Sequence, residues 1–160
     1  MYSPLHSRPR RVFSLISGLW VGGLIAIGFF VVPVLFSTLG DRQIAGMVAA
    51  KLFKFTAFSS VGISAVLMVM ANYFVRHDLA AYRLIRWILL VMLACAVGAA
   101  FILIPWMNSL RDQALLLGLS VKETTHAILF ARLHGISSIL FMTQVLFGLV
   151  LVWLATKNAD

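Results

Sequence analysis

The chain has 160 residues, of which 62% are hydrophobic and only 11% are charged. A soluble domain carries roughly 25% charged residues, because polar groups must cover its surface. This composition excludes an ordinary soluble fold and indicates a protein that lipid solvates. The formal net charge of +8 does not indicate nucleic-acid binding, because the basic residues are scattered singly apart from Arg8, Arg10 and Arg11.

The segment 1–11 is short, basic and contains proline, and a long apolar stretch follows it. We expect an uncleaved signal anchor, because residues 30–40 offer no Ala-x-Ala-like cleavage site. The first helix usually sets the orientation of a membrane protein, and three arginines precede it here. Both termini are therefore predicted to be cytoplasmic.

The hydropathy pattern predicts an all-α integral membrane four-helix bundle. One transmembrane domain covers residues 12–156, between the basic N-terminus and a C-terminal tail at 157–160. Its four spans are expected at about 12–36, 55–75, 87–107 and 135–155, each close to the ~20 residues that a crossing needs. Trp87, Trp106 and Trp153 then lie near the membrane interfaces.

Both connections on the outer side show helical patterns. Between residues 41 and 55 the apolar residues recur at helical spacing, which predicts a short interfacial helix. Ser120 and Glu123 fit the S-x-x-E capping box. A helix is therefore expected to begin at Ser120 and to continue without a break into the fourth span.

The two halves of the chain resemble each other. Residues 33–43 and 105–113 both contain, in order, a proline, a serine, a leucine, an aspartate and a glutamine. A Leu-Phe pair and a Ser-Ser pair follow each segment, which predicts two repeated helical hairpins related by an axis along the membrane normal. Pro33 and Pro105 would then distort their helices at matched depth near the outer face, or merely end those helices.

The first span carries small residues at intervals of four, including a G-x-x-x-G motif. Such a face allows a second helix to approach the backbone closely. The partner is either another span of this chain or another subunit. The predicted packing residues are Ser14, Gly18, Gly22 and Ala26.

The fourth span contains the polar groups that are candidates for ligand binding. Polar side chains inside a membrane must face protein or a cavity. A buried imidazole at His134 could bind haem iron or a soft metal, with Met142 as a second ligand, or it could bond a carbonyl or a water at the outer interface. The candidate ligand-binding residues are His134, Ser137, Ser138, Met142, Gln144, His126, Pro33 and Pro105, with His134 as the candidate metal ligand.

No catalytic residue is predicted. The five carboxylates all lie outside the predicted spans, and neither a Ser/His/Asp arrangement nor an HExxH motif is present. The sequence therefore favours a protein that is not an enzyme.

Several motifs resemble a known family. They are Gly-Leu-Trp-Val-Gly-Gly at 18–23, Val-Pro-Val-Leu-Phe at 32–36, Leu-Gly-Asp-Arg-Gln at 39–43, Lys-Leu-Phe at 51–53 and Arg-Leu-His-Gly-Ile-Ser-Ser at 132–138. The chain resembles the domain of unknown function 4149 family of small bacterial membrane proteins, which is similar to eukaryotic transmembrane protein 205. This resemblance implies a four-helix bundle in the bacterial inner membrane.

The resemblance also suggests a class of function. The eukaryotic relatives are associated with platinum-drug resistance, which implies handling of soft metals or small solutes. A fainter likeness to the copper-resistance membrane domain and to a haem-containing bacterial protoporphyrinogen oxidase lies in the Trp-x-Gly-Gly pattern of the first span. The oxidase pattern is incomplete, since the first predicted span contains no histidine.

Three functional hypotheses follow. The leading one is a membrane protein that binds or passes a small ligand or metal at an outer vestibule. The alternatives are a redox protein in which His134 ligates haem b, and a structural subunit that docks through Gly18 and Gly22. The expected partners are the lipid bilayer and a membrane protein or a second copy of the chain, with no nucleic acid.

Overall fold

The computed structural model describes residues 7–77, 79 and 81–157, and these residues contain helices and no strand. Four long helices, Arg8–Thr38, Arg42–Arg76, Tyr82–Leu116 and Ala127–Lys157, are long and apolar enough to cross a membrane. At 1.5 Å per residue each is about 45–55 Å long, against a hydrocarbon thickness of ~30 Å. The predicted all-α four-helix membrane bundle is confirmed, and the helices extend beyond the predicted spans.

Two of the four long helices are interrupted by π-helical turns. The first consists of α1 (Ser7–Ile25), a π turn (Ala26–Val31) and α2 (Val32–Thr38). The second is α3 (Arg42–Arg76). The third consists of α4 (Tyr82–Gly98), a π turn (Ala99–Leu103) and α5 (Ile104–Leu116), and the fourth is α6 (Ala127–Lys157).

The helices form a closed ring in which α4 packs against α3 and α6, and α1 packs against α6 and α3. An aromatic cluster fills the core where α1 and α4 begin and α3 ends. The Phe13 ring meets the Phe74 and Tyr82 rings edge to face, at centroid distances of 6.0 and 5.5 Å. This cluster joins three of the four long helices.

The segment predicted as a short interfacial helix is helical but not separate. Residues 42–54 are the first part of α3, because no proline interrupts the chain after its start. Asp41 caps this start, since its Oδ1 accepts hydrogen bonds from the backbone N–H groups of Gln43 at 2.7 Å and Ile44 at 3.3 Å. The predicted interfacial segment and the second span therefore belong to one continuous helix.

The predicted continuous helix from Ser120 into the fourth span was wrong. The capping-box residues are present, but they enclose only a 3₁₀ turn, Val121–Glu123. Thr124 then adopts an extended conformation, and its Oγ1 accepts a hydrogen bond from the His126 N–H at 3.3 Å. This local bond competes with helix continuation, and α6 begins at Ala127.

The two π turns lie at equivalent positions in the two halves of the chain. The residue before each proline donates its N–H to the carbonyl five residues earlier, Val32 to Ile27 and Ile104 to Ala99. A proline lacks an N–H group and its ring crowds the carbonyl four residues back, so a widened turn accommodates it. The predicted distortion is present at both prolines, and it supports the repeated-hairpin interpretation.

Candidate functional site: a polar cavity between the four helices

Buried hydroxyl groups recur every four residues along α3. Thr56 Oγ1 donates to the Leu52 carbonyl at 2.8 Å, and Ser64 Oγ donates to the Ser60 carbonyl at 2.6 Å. Ser60 differs, because its Oγ accepts a hydrogen bond from Trp20 Nε1 on α1 at 3.0 Å. The Ser60 hydroxyl therefore keeps a proton that it can donate.

A small cavity of about 20 Å³ lies beside the hydroxyls of Thr56 and Ser60. Each of the four long helices contributes to its wall, and the volume suits one water-sized molecule. The lining side chains are apolar or uncharged polar. They are Leu24, Phe53, Thr56, Ala57, Ser60, Ala99, Ile104, Ser137, Phe141 and Gln144.

Gln144 is the most unusual group of the wall. Its side chain is only 4% exposed, and its Oε1 is buried without a hydrogen-bond partner. A buried acceptor without a partner costs about 1–3 kcal/mol, so native proteins usually pair such a group with protein or with a bound molecule. The Gln144 amide is therefore a buried polar group on the cavity wall, and the described residues leave its oxygen without a hydrogen-bond donor.

The backbone at Gly28 shapes the adjoining wall. A Cβ atom at Gly28, within the first π turn, would collide with the Phe141 ring. The ring can lie against the helix there only because glycine has no side chain. Phe53 also meets Phe141 edge to face, at a centroid distance of 5.3 Å. Phe141 is thus fixed between two helices.

The structure brings two of the predicted ligand-binding residues to this cavity. Ser137 is half-buried and Gln144 is buried, and both line the wall. His134, Ser138 and Met142 are exposed and do not line it. The Ser138 hydroxyl instead donates to the His134 carbonyl within α6, at 2.9 Å.

The other predicted ligand-binding residues lie elsewhere. His126, Pro33 and Pro105 are exposed and do not line the cavity. Pro105 directly follows Ile104, which does line it. Pro105 therefore borders the site through the π turn that precedes it, whereas no residue of the π turn before Pro33 lines the cavity.

The small-residue stripe of the first span contacts α6 at one end, where Ser14 Oγ donates to the Ala155 carbonyl at 2.9 Å. Ala26 is exposed, and Cβ atoms at Gly18 or Gly22 would meet nothing within 4 Å. The close approach between α1 and α6 is instead at Gly148. A Cβ there would lie 2.8 Å from Val21 Cγ2.

The polar groups of the cavity suit hydrogen bonding and do not suit soft-metal binding. Its polar atoms belong to three hydroxyls and one amide, whereas soft metals prefer thiolate, thioether and imidazole ligands. Within the described residues no group of three or more His, Cys, Asp or Glu side chains is placed to hold a metal ion. Haem ligation by His134 stays a prediction.

Sequence analysis missed Thr56, Ser60 and Gly28. A signal for the first two exists, because Thr56, Ser60 and Ser64 recur at intervals of four in an apolar helix. No local signal distinguishes Gly28 from Gly18 or Gly22. Its role depends on Phe141, which is distant in the sequence.

Comparison with known proteins identifies a family. Residues 15–115 match the family model described as Domain of unknown function (DUF4149). The matched region contains seven of the cavity residues, from Leu24 to Ile104, whereas Ser137, Phe141 and Gln144 follow it. No curated protein and no solved structure matches the chain. Because the family match covers more than half of the chain, this protein belongs to the DUF4149 family.

Proposed function

We propose that this protein binds small uncharged solutes in the cavity between its four helices and lets them enter from the outer side of the membrane. One observation carries the proposal, namely the buried Gln144 Oε1 that has no hydrogen-bond partner beside a cavity lined with hydroxyls. An acceptor that the protein itself does not satisfy suits a bound molecule that donates a hydrogen bond.

The cavity can hold a solute at more than one atom. A turn of the Gln144 amide toward the cavity would let its Oε1 accept a hydrogen bond, and the Ser60 hydroxyl can donate one while it accepts from Trp20. Ser137 adds a second hydroxyl. A molecule with at least one donor and one acceptor, such as water or a small alcohol, fits this set.

The absence of charge in the wall selects against ions. None of the lining residues carries a carboxylate, an ammonium, a guanidinium or an imidazole. Moving an ion from water into such a site removes its hydration without supplying an opposite charge. Uncharged solutes lose far less hydration free energy when they enter the cavity.

Entry of anything larger than water requires the wall to move. The cavity of about 20 Å³ borders the second π turn through Ala99, and Ile104 directly follows that turn. Mid-helix π turns are common at functional sites, and a proline follows this one. We place the entry path on this side of the cavity, in the half of the bundle that the orientation prediction puts outside.

Proteoliposomes test the proposal directly. Stopped-flow light scattering would measure permeability to water and to glycerol, with protein-free vesicles as the baseline. We expect wild-type protein to raise permeability, and Gln144→Leu to lower the increase about tenfold, since one buried hydrogen bond is worth ~1–3 kcal/mol.

Two adjacent serines provide a matched control. Ser137→Ala removes a hydroxyl from the cavity, whereas Ser138→Ala removes one that is exposed and bonded within its own helix. Only Ser137→Ala should reduce permeability. Wild-type permeability at the protein-free level, or equal permeability in wild-type and Gln144→Leu vesicles, would overturn the proposal.

A further inference from the structure

A second depression, distinct from the polar cavity, lies between the end of α3 and the start of α4. This groove has a volume of about 260 Å³ and is lined by Met68, Asn72, Arg86, Trp87 and Leu90. α3 ends at Arg76 and α4 begins at Tyr82, so the groove opens at the bundle end where α1 begins and α6 ends.

The groove is polar near the helix ends and apolar deeper in the bundle. Asn72 lies four residues before the end of α3, and Arg86 lies four residues after the start of α4, about 6 Å from each helix end. Met68 and Leu90 lie one further turn inward. A phospholipid presents the same order, with a polar headgroup above apolar chains.

Arg86 supplies the charge at the polar level. Its side chain is half-buried, and Nη1 donates to Asn72 Oδ1 across a long 3.5 Å contact. Among the described residues no carboxylate pairs with this guanidinium. A guanidinium has five N–H donors in a planar fork, which matches the oxygens of a phosphate group.

Trp87 marks the level of the membrane interface. It is 61% exposed at the rim of the groove, and tryptophan concentrates where the headgroups meet the hydrocarbon. The surrounding hairpin also carries Arg76 at the end of α3, so its charge complements an anion. The apolar lower half distinguishes a lipid from a free anion.

We infer that this groove binds one anionic phospholipid, with its phosphate on Arg86 and Asn72 and an acyl chain against Met68 and Leu90. The Trp87 side chain then lies beside the glycerol backbone of the same lipid. The site is separate from the polar cavity, since the two share no lining residue. The lipid would therefore occupy the groove whether or not the cavity passes a solute.

Native mass spectrometry of the detergent-purified, delipidated protein tests the inference. Phosphatidylglycerol and phosphatidylcholine would be added separately, with matched acyl chains. We expect one high-occupancy phosphatidylglycerol adduct, and a loss of about tenfold in its affinity in Arg86→Gln, because the variant loses the charged hydrogen bonds to the phosphate. Arg83→Gln is the matched control, because Arg83 is exposed on the same hairpin and does not line the groove.

A fluorescence measurement on the wild-type protein guards the test against a folding defect in the arginine variants. Phosphatidylglycerol with brominated acyl chains should quench the emission of Trp87, and Trp87→Phe should remove that share of the quenching. Equal binding of the two lipids, equal losses in Arg83→Gln and Arg86→Gln, or full displacement of the lipid by inorganic phosphate would each overturn the inference.

Discussion

Trp20 and Ser60 are joined by a hydrogen bond of 3.0 Å from the indole Nε1 to the serine Oγ. Both side chains are buried, with exposed fractions of 6% and 0%. The bond connects α1 to α3 beside the cavity, and Ser60 itself forms part of the wall. It therefore couples the packing of two helices to the geometry of the site.

Ser60→Ala should destabilise the bundle by about 1–3 kcal/mol, because it leaves the Trp20 N–H buried without an acceptor. Unfolding in mixed micelles, followed by circular dichroism, measures this change. Ser138→Ala should leave stability nearly unchanged, since its hydroxyl is exposed and bonds within its own helix.

The double variant Trp20→Phe with Ser60→Ala separates the bond from general packing. It removes both partners of the bond. Ser60→Ala should therefore lower the free energy of unfolding less in the Trp20→Phe background than in the wild type. An equal cost in both backgrounds would show that the hydrogen bond does not contribute to stability.

Gly148→Leu should strongly destabilise the protein. A Cβ at this position would lie 2.8 Å from Val21 Cγ2 and 3.3 Å from Met92 Cε, and Val21 is β-branched and cannot easily move aside. Overpacking of this kind costs about 1–3 kcal/mol or more. The midpoint of thermal unfolding in detergent measures the loss.

Gly22→Leu is the matched control for Gly148→Leu. Gly22 is exposed, and a Cβ added there would meet no atom within 4 Å, so the larger residue has open space around its first carbon. Stability should stay the same or rise, since leucine favours helix more than glycine by about 0.5–1 kcal/mol. A loss as large as that of Gly148→Leu would restore Gly22 to the packing role that its spacing predicts.

The four helices were predictable because hydropathy and length depend only on local sequence. The proline distortions were predictable for the same reason, since Pro33 and Pro105 affect the preceding turn of their own helices. The glycine contacts were not predictable from the local sequence. Gly18 and Gly22 have the spacing of a packing motif, but Gly28 and Gly148 meet the neighbouring helices, because helix rotation depends on side chains that are distant in the sequence.

The candidate site was predictable in part. Polar residues in an apolar span are visible in the sequence, so Ser137 and Gln144 were identified. The sequence did not separate them from His134, Ser138 and Met142, which are exposed on the same helix. Only the packing of α6 against the other helices distinguishes the wall of a cavity from the outer surface of the bundle.

Glu123 should titrate below its ordinary pKa of 4.5. The Ser120 N–H donates to Glu123 Oε2 at 2.8 Å, and this backbone bond, followed by a bond from the Ser120 hydroxyl, lowers the pKa of the carboxyl. Because the pKa is lower in the folded state, the carboxylate's contribution to stability is fully present above the pKa of the unfolded chain. That contribution is lost as the pH falls through the pKa of the folded state.

The amide proton of Ser120 reports this titration by nuclear magnetic resonance. Its chemical shift should move as the carboxylate is protonated, with a midpoint below 4.5. In Glu123→Gln the same transition should be missing. A midpoint at or above 4.5 in the wild type would contradict the capping bond.

Pro33→Ala and Pro105→Ala should have similar effects if the two π turns are equivalent parts of a repeat. Each substitution restores a backbone N–H and removes a ring that crowds the carbonyl four residues earlier. The π turn can then relax to regular α-helix, and each variant should be more stable than the wild type by up to about 3 kcal/mol.

Unfolding in mixed micelles again measures the two changes, with hydrogen exchange across residues 26–33 and 99–105 as the local readout. Slower exchange should be confined to the segment that carries the substitution, because the π turns belong to different long helices. A stability gain in one variant and a loss in the other would show that the two turns are constrained differently. The similarity of residues 33–43 and 105–113 would then be a resemblance of sequence alone.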